Sequence, residues 1–143
     1  LLPKLLDFKI PRKNLIITPH EGEAVRLLKA NKTSSQKNRQ IMAKKLFDLY
    51  PGTVVLKGKE TIVYDGGSLS VCPAGNPGMA VGGMGDVLSG MISGYLAQGL
   101  SSKEASILGV FHHAVACDSL QENYGQRSLR PSILLDHLVD LEL

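Results

Sequence analysis

The sequence predicts an α/β fold with a mostly parallel sheet and one hairpin. Short β-rich runs alternate with stretches of helical periodicity, the pattern of strands joined by helical crossovers. Two of the runs flank Asp65-Gly66-Gly67 closely enough to pair as a hairpin. At 143 residues, 43% hydrophobic and 20% charged, the chain can bury a sizeable core as one globular domain.

Residues 1–10 hold Pro3 and several leucines and are too short a run to classify. Residues 14–18 read as a buried strand closed by Pro19. Thr18-Pro19-His20 therefore falls at a strand's C-terminal end, where open α/β sheets bind ligands. Ala24, Val25, Leu27 and Leu28 predict a short helix. After a polar linker over residues 31–35, Ser34 or Ser35 caps a helix over 36–50 with the apolar stripe Met42, Leu46, Leu49 and Tyr50. Pro51-Gly52 ends it, and residues 53–56 form a second buried strand. Beyond Lys57-Gly58-Lys59-Glu60, residues 61–64 and 68–72 make the hairpin.

The stretch over residues 76–90 organises the remainder. Five glycines fall between positions 78 and 90, and from Asp86 onward Val87, Leu88, Met91, Ile92, Tyr95 and Leu96 recur at helical spacing. A glycine loop feeding a helix offers N–H groups without intrahelical partners and the positive end of the helix dipole, which together suit an anion. Gln98-Gly99-Leu100 closes this helix, and Ser101 with Glu104 makes a capping box for the next. That helix runs to about residue 120 and carries no charge between Glu104 and Asp118, so it is expected to be largely buried. His112 and His113 within it read as core or interface residues. Pro131 opens a last amphipathic segment with Ile133, Leu134, Leu138 and Val139.

A net charge of +3 with scattered cations argues against nucleic acid as a partner. There is neither an apolar run of membrane-spanning length nor a secretory leader, so no membrane partner and a cytoplasmic location are expected. Cys72 and Cys117 fit no metal or redox spacing and read as buried thiols. The chain opens on Leu1 rather than Met, which points to a fragment.

No Gly-x-x-x-x-Gly-Lys-Ser/Thr is present, and Gly83-x-Gly85-x-x-Leu88 lacks the third glycine of a dinucleotide fingerprint. What remains is an anion hole from the N–H groups of Gly83, Met84 and Gly85, with Asp86 placed to take a proton from a substrate hydroxyl. Phosphoryl transfer, which needs mainly positioning and charge stabilisation, fits this equipment. Plainer roles stay open beside it: Asp86 as a helix cap, His20 as a turn histidine bonded to backbone, Lys57 as a solvated strand-end lysine.

The run over residues 76–80 and 82–90 resembles the C-terminal signature of the ADP/ATP-dependent NAD(P)H-hydrate dehydratases, within the ribokinase-like superfamily. Thr18-Pro19-His20-Glu21-Gly22-Glu23 is similar to that family's other motif, and Leu56-Lys57-Gly58 with Thr61 to its nucleotide-side strand. The resemblance implies a three-layer ribokinase-like domain, of which residues 1–143 would be the C-terminal part. It implies nucleotide-driven dehydration of hydrated NADH or NADPH, through phosphorylation of the hydrate hydroxyl and loss of phosphate. His20, Asn76 and Asp86 would meet the hydrated nucleotide, with Asp86 as the base. Lys57, Gly58, Lys59, Glu60, Thr61 and Gly85 would hold ADP or ATP, and Mg²⁺ would bridge its phosphates without a dedicated protein ligand set. A homo-oligomer is expected. Val81 and Met84 stand where the family usually has Thr, which puts nucleotide preference and turnover in question. Sugar kinases of the superfamily usually carry an Asp-Thr pair that is absent here. The rival readings are a kinase for a vitamin-precursor alcohol and a non-catalytic nucleotide-binding remnant.

Overall fold

The structure, a computed structural model, describes residues 15–29, 36–125 and 129–140. The expectations for residues 1–10, for Asn14, and for the linker with its caps Ser34 and Ser35 lie outside these. The elements are β1 (Ile16–Ile17), α1 (Glu21–Leu28), α2 (Gln36–Leu49), β2 (Thr53–Leu56), β3 (Ile62–Tyr64) and β4 (Leu69–Val71). A 3₁₀ turn (Pro77–Met79), α3 (Met84–Ala97), α4 (Ser102–Tyr124) and α5 (Pro131–Asp140) complete them.

The strands lie in the order β1-β2-β3-β4. β1 and β2 are parallel, with Ile16 opposite Thr53, and an isolated bridge between His20 and Lys57 carries the pairing past the strand ends. β2 with β3, and β3 with β4, are antiparallel. Among the described strands the sheet is therefore mixed, where the sequence predicts it mostly parallel. The reason is loop length: Lys57 to Thr61 is too short for the crossover of a dozen or more residues that a parallel pair needs. The β3–β4 hairpin forms as expected, its turn held by Asp65 Oδ1, which accepts from the N–H groups of Gly67 (3.0 Å) and Ser68 (2.7 Å).

All four residues of β2 are buried, because helices cover both faces of the sheet. Val54, Leu56 and Ile62 pack with Ile17, Ala24 of α1, and Met42, Ala43, Leu46 and Tyr50 of α2. Val55 and Val63 point the other way, onto Leu88 and Ile92 of α3 and Ala105 and Val110 of α4. This is a helix-sheet-helix sandwich, and the alternation along β2 is the period of two that a strand imposes. Leu49, expected on the α2 stripe, is 46% exposed, and Arg39 and Ala43 take buried places on that face instead.

α3 starts two residues before Asp86. Val81 O accepts from Met84 N–H at 3.3 Å, and Gly83 sits at φ 90°, ψ −18°, the left-handed third position of a type II turn. The capping box of α4 is present, with Glu104 N–H donating to Ser101 Oγ (3.3 Å) and Ser101 N–H to Glu104 Oε2 (3.0 Å). Among the described residues, no helix is long and apolar enough to cross a membrane.

Candidate active site

A cleft of about 800 Å³ opens where the end of β2, the 76–80 turn, the start of α3 and one face of α4 converge. Its walls include His20, Lys57, Thr61, Asn76, Met84, Gly85, Leu88, Val110 and His113. The sequence-predicted residues Gly58, Lys59 and Glu60 also line it. Segments far apart in the chain meet here because β1 and β2 end side by side, and Thr18 Oγ1 lies 3.4 Å from Ser89 Oγ on α3.

The anion-binding elements come together at Gly85. A Cβ on Gly85 would lie 2.7 Å from Lys57 Nζ, so the ammonium rests against the first turn of α3. Among the described residues Lys57 makes no ion pair, and two like charges, the ammonium and the positive helix end, converge without an anion between them. Of the three N–H groups expected to form the hole, that of Met84 is donated to Val81 O. Those of Gly83 and Gly85 meet no acceptor among the described residues. The Met84 side chain is 2% exposed and packs with Cys117, Leu120 and Leu134, which explains an apolar residue at this position. Nothing in the structure explains Val81, which is 44% exposed. Asp86, in the first turn of α3, is exposed and is not part of the cleft wall.

The loop carrying Lys57 is held from below by a residue that the sequence reading missed. Arg39 of α2 is 5% exposed, and its guanidinium donates to the carbonyls of Leu56 (3.3 Å), Glu60 (3.4 Å) and Lys59. Burial lowers its pKa, with Glu21 and Glu60 pulling the other way. Gly58 is required beneath it: its φ is +147°, and a Cβ would stand 2.8 Å from Arg39 Nη2. Thr61 Oγ1 closes the loop by donating to Gly58 O at 3.2 Å. The signal in the sequence was spacing, since Arg39, Met42, Ala43, Leu46 and Tyr50 recur at helical intervals.

His20 and Asn76 border the cleft but are already engaged. His20 is the N-cap of α1: Nδ1 accepts from Glu23 N–H (3.2 Å), while His20 N–H donates to Glu23 Oε2 (2.7 Å). Accepting at Nδ1 fixes the neutral ring as the Nε2–H tautomer. Asn76 Nδ2 donates to Asp118 Oδ1 (2.7 Å), its Oδ1 accepts from Gly78 N–H (3.0 Å), and Gly75 N–H donates to Asp118 Oδ2 (2.8 Å). Asp118, the first charge after the uncharged run of α4, thus ties the 76–80 turn to that helix. His112 and Tyr95 share a hydrogen bond away from the cleft, whereas His113, expected in the core, lines it. Cys72 is half-buried on the wall, and Cys117 is buried, its thiol pushed up to about 12 by burial.

Residues 2–139 match the family model described as NAD(P)H-hydrate dehydratase. The bifunctional NAD(P)H-hydrate repair enzyme Nnr of Coxiella burnetii is 44% identical over 147 residues, which cover 96% of this chain and 30% of that protein. The ADP/ATP-dependent NAD(P)H-hydrate dehydratase of Bacillus subtilis, co-crystallised with ATP/Mg²⁺, superposes with a TM-score of 0.80 at 32% identity, covering 87% of this chain and 46% of that one. A ribokinase-like superfamily protein of Enterococcus faecalis gives 0.66 at 29% identity, over 95% of this chain and 49% of the other. The chain thus has the ribokinase-like α/β architecture and spans less than a third of the Coxiella relative and under half of the two solved ones.

Proposed function

The chain belongs to the NAD(P)H-hydrate dehydratase family, and from that premise we propose that it carries the nucleotide side of an enzyme that returns hydrated NADH or NADPH to NADH or NADPH using ADP or ATP. The observation that carries this is the unpaired Lys57 ammonium against Gly85 at the start of α3, inside a cleft of nucleotide size. Lys57 and the open N–H groups of Gly83 and Gly85 would take the phosphates, and the Arg39-held loop from Gly58 to Thr61 would border the nucleotide.

Asp86 would accept the proton of the hydrate hydroxyl as its oxygen attacks the terminal phosphorus and the bond to the bridging oxygen breaks, leaving AMP from ADP or ADP from ATP. Loss of the new phosphate together with a neighbouring C–H proton then restores the ring double bond. The exposed place of Asp86 suits a substrate that approaches from outside the cleft, with His20 and Asn76 also turned to it. Among the described residues, no three acidic, His or Cys side chains gather to hold a metal, so Mg²⁺ would be carried by the phosphates, whose charge it would offset. Residues 1–143 would form the C-terminal part of one ribokinase-like domain, in a cytoplasmic homo-oligomer whose size light scattering would report.

The test is to incubate the full-length protein with Mg²⁺, ADP or ATP, and hydrated NADH, and follow the reduced-nicotinamide absorbance. Nucleotide-dependent recovery supports the proposal. Absence of recovery, with phosphorylation of an added vitamin-precursor alcohol, would establish the kinase alternative instead.

A further inference from the structure

His113 stands in the cleft wall and is only 5% exposed. Burial pushes its pKa below the ordinary value and the nearby Lys57 charge adds to that, while a hydrogen bond to the Met84 backbone pulls the other way. The ring is therefore neutral, with one N–H and one bare lone pair. Nε2 is buried and has no partner among the described residues. The nitrogen at Met84 is then Nδ1, and it carries the proton. What is left is an acceptor lone pair in a cleft wall with no donor, an arrangement that costs stability until something fills it.

The surroundings say which part of a ligand would do so. On one side lie Met84, Gly85 and Lys57, the phosphate end; on the other lie Val110, Ala114 and Leu88, an apolar wall suited to a flat base. A lone pair repels phosphate oxygens and accepts from N–H or O–H. Resting on the nucleotide reading above, we propose that His113 Nε2 accepts a hydrogen bond from a neutral donor of the adenine nucleotide, a ribose hydroxyl or the adenine amine, and so sets which nucleotide the cleft selects.

Isothermal titration of the full-length protein tests this with ADP, 2′-deoxy-ADP, 3′-deoxy-ADP and inosine diphosphate, each lacking one donor. Wild type should bind one of the analogues about tenfold more weakly than ADP, which identifies the donor. His113→Phe, a ring without a lone pair, should weaken ADP to the level of that analogue and erase the difference between them. His113→Gln, whose amide oxygen reaches about as far as Nε2, should restore part of it. Wild type indifferent to all three analogues overturns the proposal while leaving the nucleotide site standing, and needs no variant to fold. Unchanged discrimination in His113→Phe overturns it equally. Wild type that binds no ADP removes the nucleotide reading and this proposal together.

Discussion

Gly83 and Lys57 show how single residues shape the cleft. At Gly83 a positive φ of 90° coincides with crowding, since a Cβ would meet Pro131 Cγ of α5 at 2.9 Å. Gly83→Ala is therefore expected to cost about 1–3 kcal/mol, measured by urea unfolding, and to weaken ADP binding by shifting the start of α3. Lys57→Met keeps the stem and removes the charge. It should lower ADP affinity at least tenfold while leaving the melting temperature of the nucleotide-free protein unchanged, because the ammonium has no ion pair to lose. An unchanged affinity in titration calorimetry would remove Lys57 from the site. The glycine cluster was legible in the sequence because φ > 0 leaves few alternatives. The burial of Met84 was not, since a lone apolar residue among glycines has no periodicity to place it.

α2 governs the cleft without reaching its wall: Arg39 spans the carbonyls of Leu56, Lys59 and Glu60 and so fixes the loop that presents Lys57. Arg39→Lys places one ammonium where a planar fork bonded several carbonyls. It should cost about 1.5–3 kcal/mol in urea unfolding and raise the nucleotide KM more than it lowers kcat. Unchanged values of both would show that the loop stands by itself. Elements with strong local signals, the Ser101–Glu104 cap and the Asp65 turn, were readable in advance. The antiparallel pairing of β2 and β3 was readable too, from the short loop between them, but alternation of runs pulled the prediction toward parallel.

For the whole molecule, stability should follow pH through at least two depressed groups. Asp65 is held below the usual carboxylate range, chiefly by the Ser68 N–H, with burial opposing and Gly67 N–H and Lys103 adding to it. Its contribution is present above the unfolded carboxylate pKa and is lost as pH falls through the lower folded value. His113, depressed by burial, resists protonation when folded, so the unfolded chain binds more protons below about pH 6.5 and stability falls on acidification from there. The melting temperature is expected to drop in both windows, and His113→Phe should flatten the upper one. A slope unchanged in that variant would mean that other groups carry it.

The helix-sheet-helix layering was legible from composition and periodicity, because an α/β chain of this size must cover both faces of its sheet. The cleft was legible only in its glycine and lysine parts. His113, Arg39 and Asp118 each sit on a helix face that looks ordinary in sequence, and only the fold turns them toward distant loops.

The central claim is that nucleotide phosphates held by Lys57 and the start of α3 drive a dehydration. Measuring phosphate release and NADH recovery together, in the full-length protein supplied with hydrated NADH, Mg²⁺ and ADP or ATP, tests it most directly. Phosphate and NADH should appear mole for mole, and neither should appear without nucleotide. NADH recovered without phosphate, or phosphate released with no NADH restored, would contradict the account.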